Sequence, residues 1–157
     1  MAGSQEGHRC HAGELRIAPD LRQPGASGGR DGAGLNLRLD SDDDAPGLAR
    51  TAIRGWSEGM LVEQVRCDAL ELLVSELVTN AVRHAGAPTT EPIGVTASLD
   101  EGEILVAITD GGLGSLPRMG PARGEKGGYG LRIVDRECTR WGVQRWAGSG
   151  TSVWFAI

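Results

Sequence analysis

A row of polar side chains is predicted on one face of a single long helix. Glu76, Asn80 and His84 are spaced four residues apart, so in a helix they stack about one turn above one another. A carboxylate followed by an amide oxygen can supply a general base and a ligand for a hard cation. By spacing alone, a solvated polar face or a capped core amide is an equally good interpretation of this row.

Two further polar residues lie at the ends of predicted strands. Asp110 has the same parity as the apolar residues of strand 103–110, and Thr151 has that of the apolar residues of strand 151–157. Both side chains should therefore point toward the core. A carboxylate and a hydroxyl that face the same way suit a ligand edge with donor and acceptor atoms, such as adenine. The structural alternatives are a strand-end Asp cap and a buried Thr bonded to backbone.

Two glycine-rich segments complete the candidate site. Gly111, Gly112 and Gly114 follow Asp110 in a D-x-G-x-G pattern, which would let a planar ligand approach the backbone. The segment GGYGL (127–131) is expected to begin a helix, whose free N–H groups and positive end form an anion site. Neither a Rossmann fingerprint nor a P-loop motif is present.

The elements that must position these residues follow from apolar periodicity. Asp44 is expected to cap the first helix, which holds Pro46 in its first turn and carries the apolar stripe Leu48, Ala49, Ala52, Ile53 and Trp56. The predicted elements are strand 35–40, helix 45–57, helix 65–85, strands 93–99 and 103–110, a lid over 111–127, helix 130–139, and strands 141–147 and 151–157. This order predicts an α+β two-layer sandwich with helices on one face of a mostly antiparallel sheet.

Composition narrows the function classes. A net charge of −5 over 157 residues argues against nucleic-acid binding by bulk charge. Three widely spaced cysteines indicate a reducing compartment, and no apolar run or leader suggests a membrane span or secretion, so a cytoplasmic protein is expected. Residues 1–34 are Gly-rich and predict a disordered tail. His8, Cys10 and His11 lie in that tail and lack the ordered frame that a metal site needs.

Four segments together resemble the GHKL-type ATP-binding domain of gyrases, the ninety-kilodalton chaperone, histidine kinases and mismatch-repair ATPases. ELVTNAVRHA (76–85) is similar to its N-box, DGGLG (110–114) to its first glycine box, and GGYGLRIV (127–134) to its second. The closing GTSVWFAI (150–157) is similar to its last, Thr-bearing strand. The resemblance covers 35–157 and implies a histidine-kinase-like ATPase domain of Bergerat-type fold.

Within that superfamily the chain is most similar to the small bacterial anti-sigma-factor serine/threonine kinases. The resemblance rests on ELLVSELVTNAVRHAG (71–86), a lone domain and a short lid. It implies that Glu76 is the general base toward a Ser or Thr hydroxyl and that Asn80 ligates Mg²⁺ at the phosphates. His84 matches a family position without a defined role.

The resemblance also implies which residues bind ATP. Asp110 would accept from the adenine amino group, and Thr151 would complete the adenine contacts. The glycine-box residues would lie against the base or cradle the phosphates; these are Gly112, Gly114, Gly128, Gly130 and Leu131. In the lid, Arg123 and Lys126 could reach phosphate or could equally be solvated charges.

The implied function is regulation of transcription by partner switching. An ATP- and Mg²⁺-dependent serine/threonine kinase of this kind binds a sigma factor, phosphorylates an anti-anti-sigma-type antagonist and can form a homodimer. Neither nucleic acid nor membrane is an expected partner. The alternative is a non-catalytic module that binds ATP as a structural ligand and acts by sequestration. The carboxylate of Glu76 favours the kinase, since a sequestration module has no need of a base.

Overall fold

The computed structural model describes residues 34–84, 91–111, 134, 136–146 and 150–157. Their elements, in chain order, are β1 (Leu35–Leu39), α1 (Ala45–Gly59), α2 (Gln64–His84), β2 (Ile93–Asp100), β3 (Glu103–Asp110), β4 (Arg140–Trp146) and β5 (Gly150–Ala156). The strands form one antiparallel sheet in the order β1-β2-β3-β5-β4, and the two helices pack against it. The predicted α+β sandwich is therefore confirmed.

The hairpin between β2 and β3 sets the register at the centre of the sheet. Asp100 pairs with Glu103 across a two-residue turn in which Glu101 and Gly102 have φ values of 48° and 85°. Positive φ at both turn residues matches the right-handed twist of the flanking strands. On its other side β3 pairs with β5, which lies between β3 and β4. The last strand of the chain is thus an interior strand.

The start of α1 differs from the expectation in one respect. Asp44 occupies the N-cap position, but its side chain makes no capping hydrogen bond. Instead the carboxylate of Asp42 accepts from the backbone N–H groups of Asp44 (3.0 Å) and Ala45 (3.1 Å). The acidic run offers several carboxylates, and the one two residues earlier reaches the free N–H groups by an Asx-type turn. Predicting Asp44 as the capping side chain was wrong.

The core lies between the two helices and one face of the sheet. α1 buries Ala45, Ala49 and Ile53, while α2 contributes the larger share; its buried residues are Cys67, Leu70, Leu73, Val74, Leu77, Val78 and Ala81. Leu48, predicted in the apolar stripe of α1, is 56% exposed. The buried line of α1 repeats every four residues from Ala45, and Leu48 falls outside that line.

Arg66, in the first turns of α2, joins this helix to the far end of the sheet. Its guanidinium donates to the backbone carbonyls of Gly102 (2.9 Å) and Ile157 (2.7 Å). One side chain therefore connects α2, the β2–β3 turn and the end of β5. Because α2 carries the predicted polar row, this contact helps to set the position of that row over the sheet.

Part of the predicted architecture lies outside the described residues. This holds for tail residues 1–33, with His8, Cys10 and His11, and for segments 85–90 and 112–133. From the predicted helix 130–139, Val134, Arg136 and Glu137 are helical, Val134 is buried, and the N–H of Cys138 donates to the carbonyl of Val134 (3.0 Å). Among the described helices none is long and apolar enough to cross a membrane.

Candidate functional site

The polar row predicted on the long helix lies within α2. Glu76 and Asn80 are both half-buried, and His84 is the last residue of the helix. Their immediate neighbours Leu77 and Ala81 are buried, so the row borders the face of α2 that packs on the sheet. A carboxylate and an amide at the edge of a buried face are shielded in part from water, yet a ligand can still reach them.

The structure brings Asp110 and Thr151 together. Asp110 ends β3, Thr151 is the second residue of β5, and the two are direct cross-strand partners. The neighbouring pair on the same face, Ile108 and Val153, belongs to the core. Thr151 is only 4% exposed and Asp110 is half-buried. Both groups therefore point toward the helix layer, as their parity predicted.

Two glycines allow the backbone to pack closely around this pair. Gly150 has φ of +92°, and a Cβ added to it would lie 1.8 Å from the carbonyl oxygen of Asp110. A Cβ on Gly111 would lie 2.4 Å from the Cβ of Glu91. Only glycine fits such approaches. Sequence reasoning named Gly111 within its motif but missed Gly150 and Glu91; the only local signal was a glycine directly before Thr151.

The remaining predicted ligand-binding residues are Gly112, Gly114, Gly128, Gly130 and Leu131, with Arg123 and Lys126 in the lid. All of them lie outside the described residues. The phosphate cradle that they would form stays a prediction. Within the described residues, the candidate site therefore consists of the polar row on α2 and the Asp110–Thr151 pair.

This geometry fits an adenine nucleotide in its donor and acceptor chemistry. An ionised carboxylate only accepts hydrogen bonds, while a hydroxyl both donates and accepts, so Asp110 and Thr151 can meet an amino group and a ring nitrogen side by side. The described residues contain no cluster of three acidic, His or Cys side chains that could hold a metal ion by themselves. A cation bound at Asn80 would need further oxygen ligands, which phosphate groups could supply.

Solved structures share this fold. The RsbU and RsbW domains of Rv1364c from Mycobacterium tuberculosis match with a TM-score of 0.61 and 21% identity, over 79% of this chain and 32% of that one. The chain thus spans about a third of that protein's length. The SiaB–SiaC complex from Pseudomonas aeruginosa matches with a TM-score of 0.61 and 14% identity, over 78% of this chain and 88% of that one.

The family is established by a match over most of the chain. No functionally curated protein matches it. Residues 39–157, however, match the family model described as a histidine kinase-like ATPase domain. This range contains both helices, the whole sheet beyond β1 and every candidate site residue. An ATPase domain binds ATP, which agrees with the chemistry of the Asp110–Thr151 pair. The chain therefore belongs to the histidine kinase-like ATPase domain family.

Proposed function

We propose that this chain is an ATP- and Mg²⁺-dependent protein serine/threonine kinase that regulates transcription by partner switching. The observation that carries the proposal is the placement of Glu76 and Asn80 on α2, which packs on the strand that sets Asp110 against Thr151. Glu76 and Asn80 suit the roles of a base and a cation ligand, and the Asp110–Thr151 pair suits adenine. A protein that only held ATP would have no need of the carboxylate.

Asp110 and Thr151 bind and orient the nucleotide in this proposal. Asp110 accepts from the adenine amino group, and Thr151 offers its hydroxyl to the adjacent ring edge. Gly112 and Gly114 allow the base to approach the backbone. At the other end Gly128, Gly130 and the N–H of Leu131 hold the phosphates.

Glu76 acts as the general base. Its carboxylate accepts the proton of a Ser or Thr hydroxyl while the hydroxyl oxygen bonds to the terminal phosphorus and the bond to the leaving diphosphate oxygen breaks. Asn80 holds Mg²⁺ through its amide oxygen. Mg²⁺ neutralises phosphate charge when it is bound. Because Glu76 and Asn80 are one helical turn apart, base and cation ligand are held on one rigid element.

The proposed partners are a sigma factor and an anti-anti-sigma-type antagonist, with a homodimer as the working unit. Support comes from the resemblance to anti-sigma-factor kinases and from structural neighbours that include an RsbW domain and a SiaB–SiaC complex. A net charge of −5 agrees with protein partners rather than nucleic acid.

Two substitutions on α2 test the proposed kinase activity, because one should impair ATP binding and the other should impair phosphoryl transfer. Asn80→Ala removes the cation ligand, so the affinity for ATP in the presence of Mg²⁺ should fall. Glu76→Gln keeps the shape and removes the base, so ATP affinity should survive while phosphoryl transfer drops by about 10²–10⁴-fold. ATP affinity is measured by calorimetry, and transfer is measured with labelled γ-phosphate and an antagonist isolated by ATP-dependent pulldown.

Asp68→Asn is the matched control for this test. Asp68 is an exposed carboxylate on the same helix, two turns before Glu76, and it accepts a hydrogen bond from the side chain of Gln64 (2.8 Å). It should change neither ATP affinity nor transfer. Wild-type protein that binds the antagonist in an ATP-dependent way but never labels it would favour the sequestration module. If Glu76→Gln labels the antagonist at the wild-type rate, the protein is still a kinase, but Glu76 is not its general base.

A further inference from the structure

β4 forms one edge of the sheet and lacks the features that usually protect an edge strand. It pairs residue for residue with β5, without a bulge, and no described strand lies on its other side. Charged residues, proline and bulges commonly prevent an edge strand from pairing with another chain. The middle of β4, residues 141–144, has the sequence WGVQ and holds neither a charge nor a proline. This part of β4 can therefore accept a further strand.

The backbone N–H and C=O groups of Val143 point away from β5. Ile104 and Ile157 exchange two hydrogen bonds of 3.0 Å, and pairs of this kind alternate along antiparallel strands. The register then makes residues 142 and 144 the hydrogen-bonded partners of β5, and it turns the backbone groups of Val143 toward the outer edge. Val143 and Trp141 also pack against the core and are only half-buried. The edge thus presents hydrogen-bonding groups and apolar surface together.

Two buried polar atoms lie beside this edge, on the face of the sheet opposite the helices. Nε1 of Trp154 and Oε1 of Gln144 are buried and make no hydrogen bond within the described residues. Trp154 is the cross-strand partner of Gly142, and a Cβ on Gly142 would lie 2.8 Å from Nε1. The indole N–H therefore lies over Gly142. Because buried donors and acceptors without partners are rare in folded proteins, this corner of the sheet requires a further group.

We infer that β4 pairs with β4 of a second copy of this chain, antiparallel and centred on Val143. The two Val143 residues then exchange two backbone hydrogen bonds across a two-fold axis. Gly142 faces Gln144 of the second copy in a non-hydrogen-bonded pair, with Cα atoms about 4.5 Å apart. When Gln144 turns across the edge, its Oε1 accepts from the indole N–H of Trp154 in the other copy, and symmetry repeats this match.

A second copy fits this edge because the donor and the acceptor are placed symmetrically about Val143. Gly142, which lies under the indole N–H, and Gln144, which carries the acceptor, are each one residue from Val143. The two-fold axis is perpendicular to the sheet, so the helices of both copies lie on one face and the half-buried Val143 side chains cover each other. Association of two copies is part of the proposed function, but the assignment of β4 as the interface does not depend on kinase activity.

Proline at position 143 tests the backbone pairing. Val143→Pro removes an N–H that the contact with β5 does not use, so the fold should be retained while the pairing between copies is lost. Asn36→Pro is the matched control, since the same alternation turns residue 36 toward the outer edge of β1, the other edge strand. In sedimentation equilibrium of the full chain, the dimer Kd should rise by about tenfold or more for Val143→Pro and stay within about twofold for Asn36→Pro.

Disulfide formation tests the register. Val143→Cys places two thiols opposite each other at the two-fold axis, where Cα atoms about 5.5 Å apart suit a disulfide. Mild oxidation with diamide should give a covalent dimer, reversible by thiol, in clear excess over the wild-type chain with its own cysteines and over Asn36→Cys. This variant keeps the backbone N–H, so it also decides the matter if Val143→Pro does not fold. No excess of covalent dimer over the two controls would overturn the inference.

The same measurements separate this inference from the proposed function. A wild-type dimer that a folded Val143→Pro variant leaves unchanged would refute β4 as the interface and leave the proposed homodimer in place. Wild-type protein that stays monomeric at every concentration would refute both the interface and the homodimer, but not the kinase. ATP affinity should be the same in Val143→Pro as in wild type, because the bonds between β4 and β5 are kept. Wild-type protein that binds no ATP would contradict the proposed function alone.

Discussion

Asp110 is the residue on which nucleotide selectivity should depend most. Asp110→Asn replaces an acceptor-only carboxylate by an amide that can turn a donor toward the adenine amino group. ATP affinity should therefore fall by about tenfold, the equivalent of about 1.4 kcal/mol, and the preference for ATP over GTP should shrink. Calorimetry with both nucleotides measures this.

Asp100→Asn serves as its control, since Asp100 is an exposed carboxylate at the end of β2. ATP affinity and selectivity should be unchanged in that variant. If Asp110→Asn also binds ATP as wild type does, Asp110 is a strand-end residue without a role in base recognition.

Gly150 determines whether β3 and β5 can meet at the Asp110–Thr151 pair. Gly150→Ala puts a Cβ 1.8 Å from the carbonyl oxygen of Asp110 at φ of +92°. Backbone strain and overlap together should lower the free energy of unfolding by about 2–4 kcal/mol. Urea denaturation measures the loss. Gly94→Ala is the matched strand control, because its Cβ would meet nothing closer than 3.9 Å; a similar loss there would contradict the stated cause.

At the scale of elements, the position of α2 over the sheet depends on Arg66. Arg66→Ala removes the donor to the carbonyls of Gly102 and Ile157, and charge-assisted bonds of this kind predict a loss of about 1.5–3 kcal/mol in the free energy of unfolding. Because α2 carries Glu76 and Asn80, ATP affinity should weaken as well. Chemical denaturation and calorimetry give the two values.

Arg136→Ala is the comparison for Arg66. The side chain of Arg136 is 78% exposed and pairs with Glu137 at 2.7 Å. An exposed pair of this kind should contribute less than about 0.5 kcal/mol. If Arg66→Ala and Arg136→Ala had the same free energy of unfolding, the two carbonyl contacts of Arg66 would not determine the position of α2 on the sheet.

At the scale of the whole molecule, residues 1–34 differ in composition from the rest of the chain. Their composition offers too little apolar surface to offset the entropy of ordering, so they should be dispensable for nucleotide binding. A chain that begins at Leu35 should melt within about 2 °C of the full chain and bind ATP with the same affinity. A clear drop in the melting temperature would show that these residues pack on the domain.

Much of the fold could be predicted because local periodicity records which face of an element is buried. The order of strands and helices, the spacing of Glu76 and Asn80 along one helix, and the inward parity of Asp110 and Thr151 all follow from residues close together in sequence. The two wrong predictions each concern which of several residues close together in the sequence takes a particular position. Asp42 caps α1 in place of Asp44, and Leu48 faces solvent one position before the buried Ala49.

The sequence by itself determined the element types, the two-layer class and the inward parity of Asp110 and Thr151. Only the tertiary structure decided that β5 lies between β3 and β4, which makes Asp110 and Thr151 direct partners, and that Gly150 must admit the carbonyl of Asp110. It likewise decided that Arg50 of α1 and Arg83 of α2 line one groove between the two helices. The physical reason is the same in each case: these relations join residues far apart in the chain, and periodicity carries no information about which distant surfaces meet.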